Sequence, residues 1–188
     1  QDLRSEWQCE DKLLIGHVGR LHPVKNHELL LDSFAMLPNS SVLCCVGEGG
    51  ASRHDLLKNH AESLGIEDRV LWLGARHDLT ALYSAMDVLV LCSKSEGCPN
   101  VIMEAMACGT PCVGTNVGEV SHIIGTHGRI VEAHTPDAIQ RAILDLLHNM
   151  PSSEACRGRM MELFSQDMSL NQTEDVLLCA TGMHSDIL

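Results

Sequence analysis

The run Leu13-Leu-Ile-Gly-His-Val-Gly19, with the segment Asn26–Leu37 behind it, decides the fold. The first stretch is apolar almost throughout and is closed by glycine. The second carries apolar residues at 29, 30, 34 and 37, the spacing of a helix with one buried face. A strand that is apolar on both sides of its pleat must be covered on both faces, which in a sheet means helices above and below. The alternation returns along the chain. Val42–Val46 closes on Gly47-Glu-Gly-Gly50 and leads to Leu56–Leu64; Val70–Leu73 closes on Gly74 and leads to Leu79–Met86. Val88-Leu-Val-Leu-Cys92 is a fourth buried strand, Ser93–Pro99 a polar loop, and Asn100–Cys108 a helix stopped by Gly109, after which Pro111–Thr115 is again extended. The expected fold is α/β: a doubly wound, Rossmann-like parallel sheet with helices on both faces. Thr135-Pro-Asp caps a helix whose apolar residues 139, 142, 143, 146 and 147 form one stripe, ending before Pro151. Two further helical pieces, about 153–164 and 170–180, predict a helical C-terminal tail. Residues 1–12 read as a polar lead-in or linker remnant, and 13–188 as one domain.

Composition narrows the function. The chain has 188 residues, 45% hydrophobic and 20% charged, which suits one soluble domain. Thirteen basic residues stand against 25 acidic ones, a net charge of −12, and only 3% are aromatic. That balance argues against nucleic acid as a partner, and any anionic ligand must be held by a few local cations and amides. The nine cysteines are odd in number and sit mostly in apolar runs, so buried thiols in a reducing compartment are expected. With neither a signal pattern nor an apolar run of about 20 residues, the chain reads as cytoplasmic. The missing initiator Met reads as a piece of something longer. No CxxC pair and no zinc spacing among the 11 His are present, so neither a metal nor a cofactor is expected.

In open parallel sheets, ligands bind beyond the carboxyl ends of the strands. After the first strand, Gly19-Arg20-Leu-His-Pro-Val-Lys25-Asn26 sets two cations five residues apart on one loop. A diphosphate complements them, the planar fork of Arg and the point charge of Lys together; the plain alternative is two solvated surface cations. After the fourth strand comes Ser95-Glu96-Gly97-Cys98-Pro99-Asn100-Val101-Ile-Met-Glu104. The unpaired amides of Gly97, Cys98, Asn100 and Val101 at a helix start attract an anion. Two carboxylates in this spacing can face one cleft, and each can accept hydrogen bonds from vicinal hydroxyls of a sugar or ribose. Glu104 is flanked by Val101, Ile102, Met103, Ala105 and Met106, so its charge is expected to need a partner. The Gly47-Glu-Gly-Gly50 turn alone is more often structural than phosphate-binding.

These blocks resemble the C-terminal, donor-binding domain of the retaining, two-domain GT-B glycosyltransferases of family 4, or group 1, over about Leu13 to Ala180. Gly-Arg20-Leu-x-Pro-x-Lys25-Asn, Val46-Gly-Glu-Gly and Leu73-Gly-x-Arg76-x-Asp78 match three signatures in order. The most specific match is Met86-Asp-Val-Leu-Val-Leu-x-Ser93 leading into Glu96-Gly-x-Pro-Asn-Val-x-x-Glu104-Ala-Met-Ala-Cys-Gly-Thr-Pro.

The resemblance implies that Arg20 and Lys25 hold the diphosphate of a nucleotide diphosphate sugar. It implies that Glu104 holds its ribose, and that Glu96, the catalytic candidate, grips the transferred sugar with the amides after it. Backbone near Arg76 would meet the base, without a metal, since no Asp-x-Asp occurs. Thr115-Asn-Val-Gly118 matches the family's glycine turn, but the acidic residue often found four positions on is His122 here, with Glu119 a weak substitute. The family's N-terminal half, which supplies the acceptor surface, has no counterpart in the twelve residues before Leu13. The expectation is therefore a fragment, or a subunit of a split transferase, whose saccharide or lipid-linked acceptor is held by another half. Any contact with a membrane surface would also come through that half. The alternatives are a non-catalytic nucleotide-sugar-binding module and a sugar-nucleotide epimerase of similar architecture, the latter opposed by the Glu-Gly-x-Pro-Asn run.

Overall fold

The structure, a computed structural model, describes residues 3–164. Six parallel strands form one sheet: β1 (Leu13–Val18), β2 (Ser41–Val46), β3 (Val70–Gly74), β4 (Val88–Leu91), β5 (Cys112–Thr115) and β6 (Gly128–Val131). Their order is β3-β2-β1-β4-β5-β6. The direction of winding reverses between β1 and β4, so the loops leaving those two strands part toward opposite faces and open a crevice between them. The register pins this edge, with Ile15 of β1 opposite Leu43 of β2 on one side and Val88 of β4 on the other.

The strand pleat sorts the core into two layers. Ile15, Leu43, Val88, Val90 and Val113 point to the face covered by α2 (His27–Ala35), α3 (Ala51–Ser63) and α7 (Pro136–His148). Their neighbours Leu14, Val42, Cys44, Leu89 and Leu91 point to the other face, under α4 (Leu79–Ala85), α5 (Asn100–Ala107), α6 (Val120–Ile124) and α8 (Ser153–Phe164). The doubly wound sheet is thus the one its sequence predicts. The Thr135 hydroxyl caps α7 by accepting from the Ala138 amide at 3.4 Å.

Three elements escape apolar periodicity. The short α1 (Leu3–Glu6) and the turn after it are anchored by buried Leu3 and Cys9, and Arg4 donates to the Ala85 carbonyl and pairs with Asp87. Residues 3–9 therefore pack on the domain. Strand β6 is four residues of Gly-Arg-Ile-Val at the sheet edge, too short and too polar to read as buried; α6 before it has five residues. Helix α3 starts at Ala51 and not at Leu56, because its first turn buries no apolar side chain that periodicity could register. Helix α8 matches the first part of the expected tail; the second part, 170–180, lies outside the described residues.

Six of the eight described thiols are buried, as expected, while Cys98 is exposed and Cys108 half-buried. Cys9, Cys44, Cys45, Cys92, Cys112 and Cys156 are buried and free, and burial pushes Cys44 and Cys92 up to about 12. No helix among the described residues is long and apolar enough to cross a membrane.

Candidate functional site

The site assembles where the β1 and β4 loops leave the switch point. Gly19 donates its amide to the Val46 carbonyl at 2.8 Å and Leu21 to that of Glu48 at 2.8 Å, so the β1 and β2 loops run side by side. They come so close that a Cβ on Gly47, at φ +134°, would lie 2.1 Å from the Gly19 oxygen. A single 3-10 turn, Pro23–Lys25, then swings the chain back; the His22 ring accepts from the Val24 amide, and Asn26 adopts a left-handed φ of 55° to start α2. The Lys94 amide donates to the Val24 carbonyl at 2.8 Å, joining the β4 loop to the β1 loop across the crevice.

That junction brings Lys25 and Glu96 together. Lys25 Nζ donates to Glu96 Oε1 at 2.6 Å, both side chains being largely shielded from solvent. The Ser93 hydroxyl donates to the same oxygen at 2.6 Å, and the Thr115 hydroxyl of β5 donates to the Ser93 carbonyl at 2.7 Å. The turn after β5 grips the next residue, since the Glu119 amide donates to the Gly97 carbonyl at 2.9 Å. Gly118 sits so close beneath that a Cβ there would lie 2.3 Å from the carbonyl oxygens of both Glu96 and Gly97. The glycine turn whose role the sequence leaves open is a support for the Glu96 loop.

The amides of Gly97, Cys98, Asn100 and Val101 donate to no backbone carbonyl among the described residues, as expected for a helix start. Arg20 lies exposed on the same loop as Lys25. Glu104 departs from its sequence reading. Helix α5 buries Ile102, Ala105 and Met106, while Glu104 is exposed, so its apolar neighbours do not enclose it and the expected desolvation cost does not arise. It has a partner all the same, the Tyr83 hydroxyl, which donates to Glu104 Oε2 at 2.7 Å. Arg76 stands apart, at the end of β3, two strands from β1. Its guanidinium forks onto Asp78 at 2.8 and 2.6 Å and holds that carboxyl down to about 2. Between the carboxyl ends of β2 and β3 lies a cavity of about 310 Å³ lined by Leu21, Cys45, Glu48, His54, Trp72 and Gly74. The His54 and Trp72 rings meet edge to face with centroids 5.5 Å apart.

Under the site lie two buried imidazoles. His17 Nδ1 is 2.9 Å from the Val90 carbonyl and donates to it, and its ring meets that of His27 edge to face at 4.5 Å. Burial lowers His17 to about 4 and His27 to about 2, so both are neutral near pH 7. Tyr83, Ser93 and Thr115 were not among the sequence candidates. Ser93 and Thr115 sit inside matched motifs, but nothing local marks Tyr83. Among the described residues no three His, Cys, Asp or Glu side chains converge as a metal site would require.

Comparison with known proteins agrees with this fold. Residues 1–160 match the family model described as glycosyl transferases group 1. The D-inositol 3-phosphate glycosyltransferase of Mycolicibacterium vanbaalenii is 33% identical over 184 residues, covering 90% of this chain and 40% of that protein. The N-acetyl-alpha-D-glucosaminyl L-malate synthase of Bacillus anthracis is 32% identical over 178 residues, with 88% and 45% covered. Among solved structures, Anabaena Alr3699/HepE in complex with UDP superimposes with a TM-score of 0.83 at 25% identity, over 95% of this chain and 51% of that one. Sucrose-phosphate synthase from Thermosynechococcus elongatus gives 0.81 at 26% identity, over 95% and 49%. The chain thus spans about half the length of these proteins, or less. By its matched residues and its sheet order, it belongs to the group 1 glycosyltransferases.

Proposed function

We propose that this chain is the donor-binding half of a retaining glycosyltransferase, which takes a nucleotide diphosphate sugar and passes the sugar to a saccharide or lipid-linked acceptor held by a second domain or subunit. Residues 13–188 form the donor domain, and 1–12 lead into it. The observation that carries the reading is the Lys25–Glu96 pair across the switch point, set beside four unpaired amides at the start of α5. Cations and amides in this arrangement neutralise a diphosphate without a metal and stabilise the charge that grows on it as the sugar leaves. Lys25 is shared: as the donor enters, its remaining N–H groups turn to phosphate, while the Ser93 hydroxyl keeps Glu96 oriented. Glu96 then accepts hydrogen bonds from the transferred sugar, Arg20 closes on the outer phosphate oxygens, and Glu104 takes the ribose diol. The base lies toward the backbone near Arg76, with the Trp72-lined cavity beside it. UDP in the complex of the Anabaena neighbour is the natural first probe.

Calorimetry of the full 188-residue chain against UDP, GDP and ADP tests this reading. Weak binding to at least one is expected, without sugar transfer until the other half closes the site and excludes water. Replacing Arg20 by Ala should weaken binding about ten- to a hundredfold, the range for losing a charge-assisted contact to phosphate. Absence of binding to all three at millimolar concentration, or an affinity unchanged when Arg20 and Lys25 are both replaced, overturns it.

A further inference from the structure

We propose that Tyr83 is a positioning residue that gives the nucleotide site its selectivity for ribose, by holding Glu104 through its hydroxyl; this rests on the reading that Glu104 meets the ribose. Tyr83 is 1% exposed, and its ring lies in the cluster that α4 and α5 share with Ile102, Ala105 and Met106. Its hydroxyl meets Oε2 of the exposed Glu104 at 2.7 Å. A carboxylate can only accept, so the phenol donates, and burial together with the Glu104 charge raises the phenol's pKa and keeps its proton in place. The backbone that carries the ring is fixed as well. The Thr110 hydroxyl donates to the Tyr83 carbonyl at 2.6 Å, and the Thr110 amide to that of Ala105 at 2.9 Å, so the end of α5 is tied to α4. Glu104 alone is an exposed side chain with three rotatable bonds, free to sample several rotamers. With Oε2 held, its Oε1, which accepts from no group among the described residues, has a fixed direction in which to receive a vicinal diol.

The sole tyrosine of the chain makes the test clean. Binding of UDP, GDP and ADP, and of the 2′,3′-dideoxy form of whichever binds tightest, is measured for the wild type and for Tyr83→Phe, which removes one oxygen and leaves the ring. The wild type should lose about tenfold on the dideoxy form, as for one to two lost hydrogen bonds. Tyr83→Phe should bind the ribonucleotide about three- to tenfold more weakly and discriminate much less. A wild type that binds without discriminating overturns the ribose reading of Glu104. A wild type that discriminates beside a Tyr83→Phe variant that does so equally overturns only the role of Tyr83. If that variant fails to fold, the single Cζ resonance of ¹³C-labelled tyrosine replaces it. In the wild type it should move at saturation with the ribonucleotide and not with the dideoxy form, and a resonance indifferent to both overturns the proposal.

Discussion

At the scale of single residues, the site rests on polar groups whose partners are chosen by burial. Lys25 and Glu96 are shielded enough that removing one would strand the other, whereas the more solvent-accessible fork of Arg76 on Asp78 is worth little to the fold. The buried imidazoles beneath them bear on acid stability. His17 and His27 are neutral in the fold because burial depresses their pKa, with Lys25 adding to the effect on both and Arg53 on His27. The unfolded chain binds protons to them below about pH 6.5, which the folded chain refuses. Their contribution is thus intact above that pH and is lost as pH falls toward about 4 for His17 and about 2 for His27. The slope is at most about 1.4 kcal/mol per pH unit for each histidine. Neither ring nitrogen of His27 has a partner among the described residues, so an apolar side chain of like volume should serve as well at pH 7. Urea unfolding of His27→Leu should show equal or higher stability at pH 7 and a visibly shallower loss between pH 6.5 and 5. An unchanged slope would contradict the assignment.

At the scale of elements, the β5–α6 turn is the support on which the Glu96 loop lies. Gly118 combines a left-handed φ of 54° with carbonyl oxygens where its Cβ would go, so Gly118→Ala must push the Glu96–Gly97 backbone toward the crevice. Nucleotide affinity should fall at least about tenfold while stability drops by about 1–3 kcal/mol, the usual cost of a forced shift. Gly158→Ala in α8, where the added methyl meets nothing within 4 Å, is the control: about 0.5–1 kcal/mol more stable, with affinity unchanged. Calorimetry and thermal melts on both variants decide it, and equal affinities would reduce the turn to a simple connection. The turn also marks how far sequence carries. Strands β1 to β5 are legible because their runs are mostly apolar, whereas β6 is not, because an edge strand with Arg129 on it need not be apolar. Lys25 and Glu96 can be named from motifs, but their pairing depends on β1 lying beside β4. Tyr83 could not be found, since its bond to Glu104 spans 21 residues and is made by the packing of two helices.

At the scale of the whole molecule, a chain of net charge −12 repels a nucleotide diphosphate at long range, so binding must rest on local cations and amides. The reversal of winding between β1 and β4 brings Lys25 and Glu96 together beside the four free amides at the start of α5, and in the proposed site Arg20 and Glu104 join them. The sheet and its helices are rigid supports for that arrangement, and each half of the site comes from a different strand's loop. The central claim is that the anion binds there and nowhere else on the domain. A titration of the ¹⁵N-labelled chain with UDP, followed by amide resonances, tests it most directly. The amides of Gly97, Cys98, Asn100 and Val101 should move together along one saturable curve, while those of Leu146 in α7 and Met160 in α8 stay in place. Saturable UDP binding that leaves all four site amides unmoved would contradict the account.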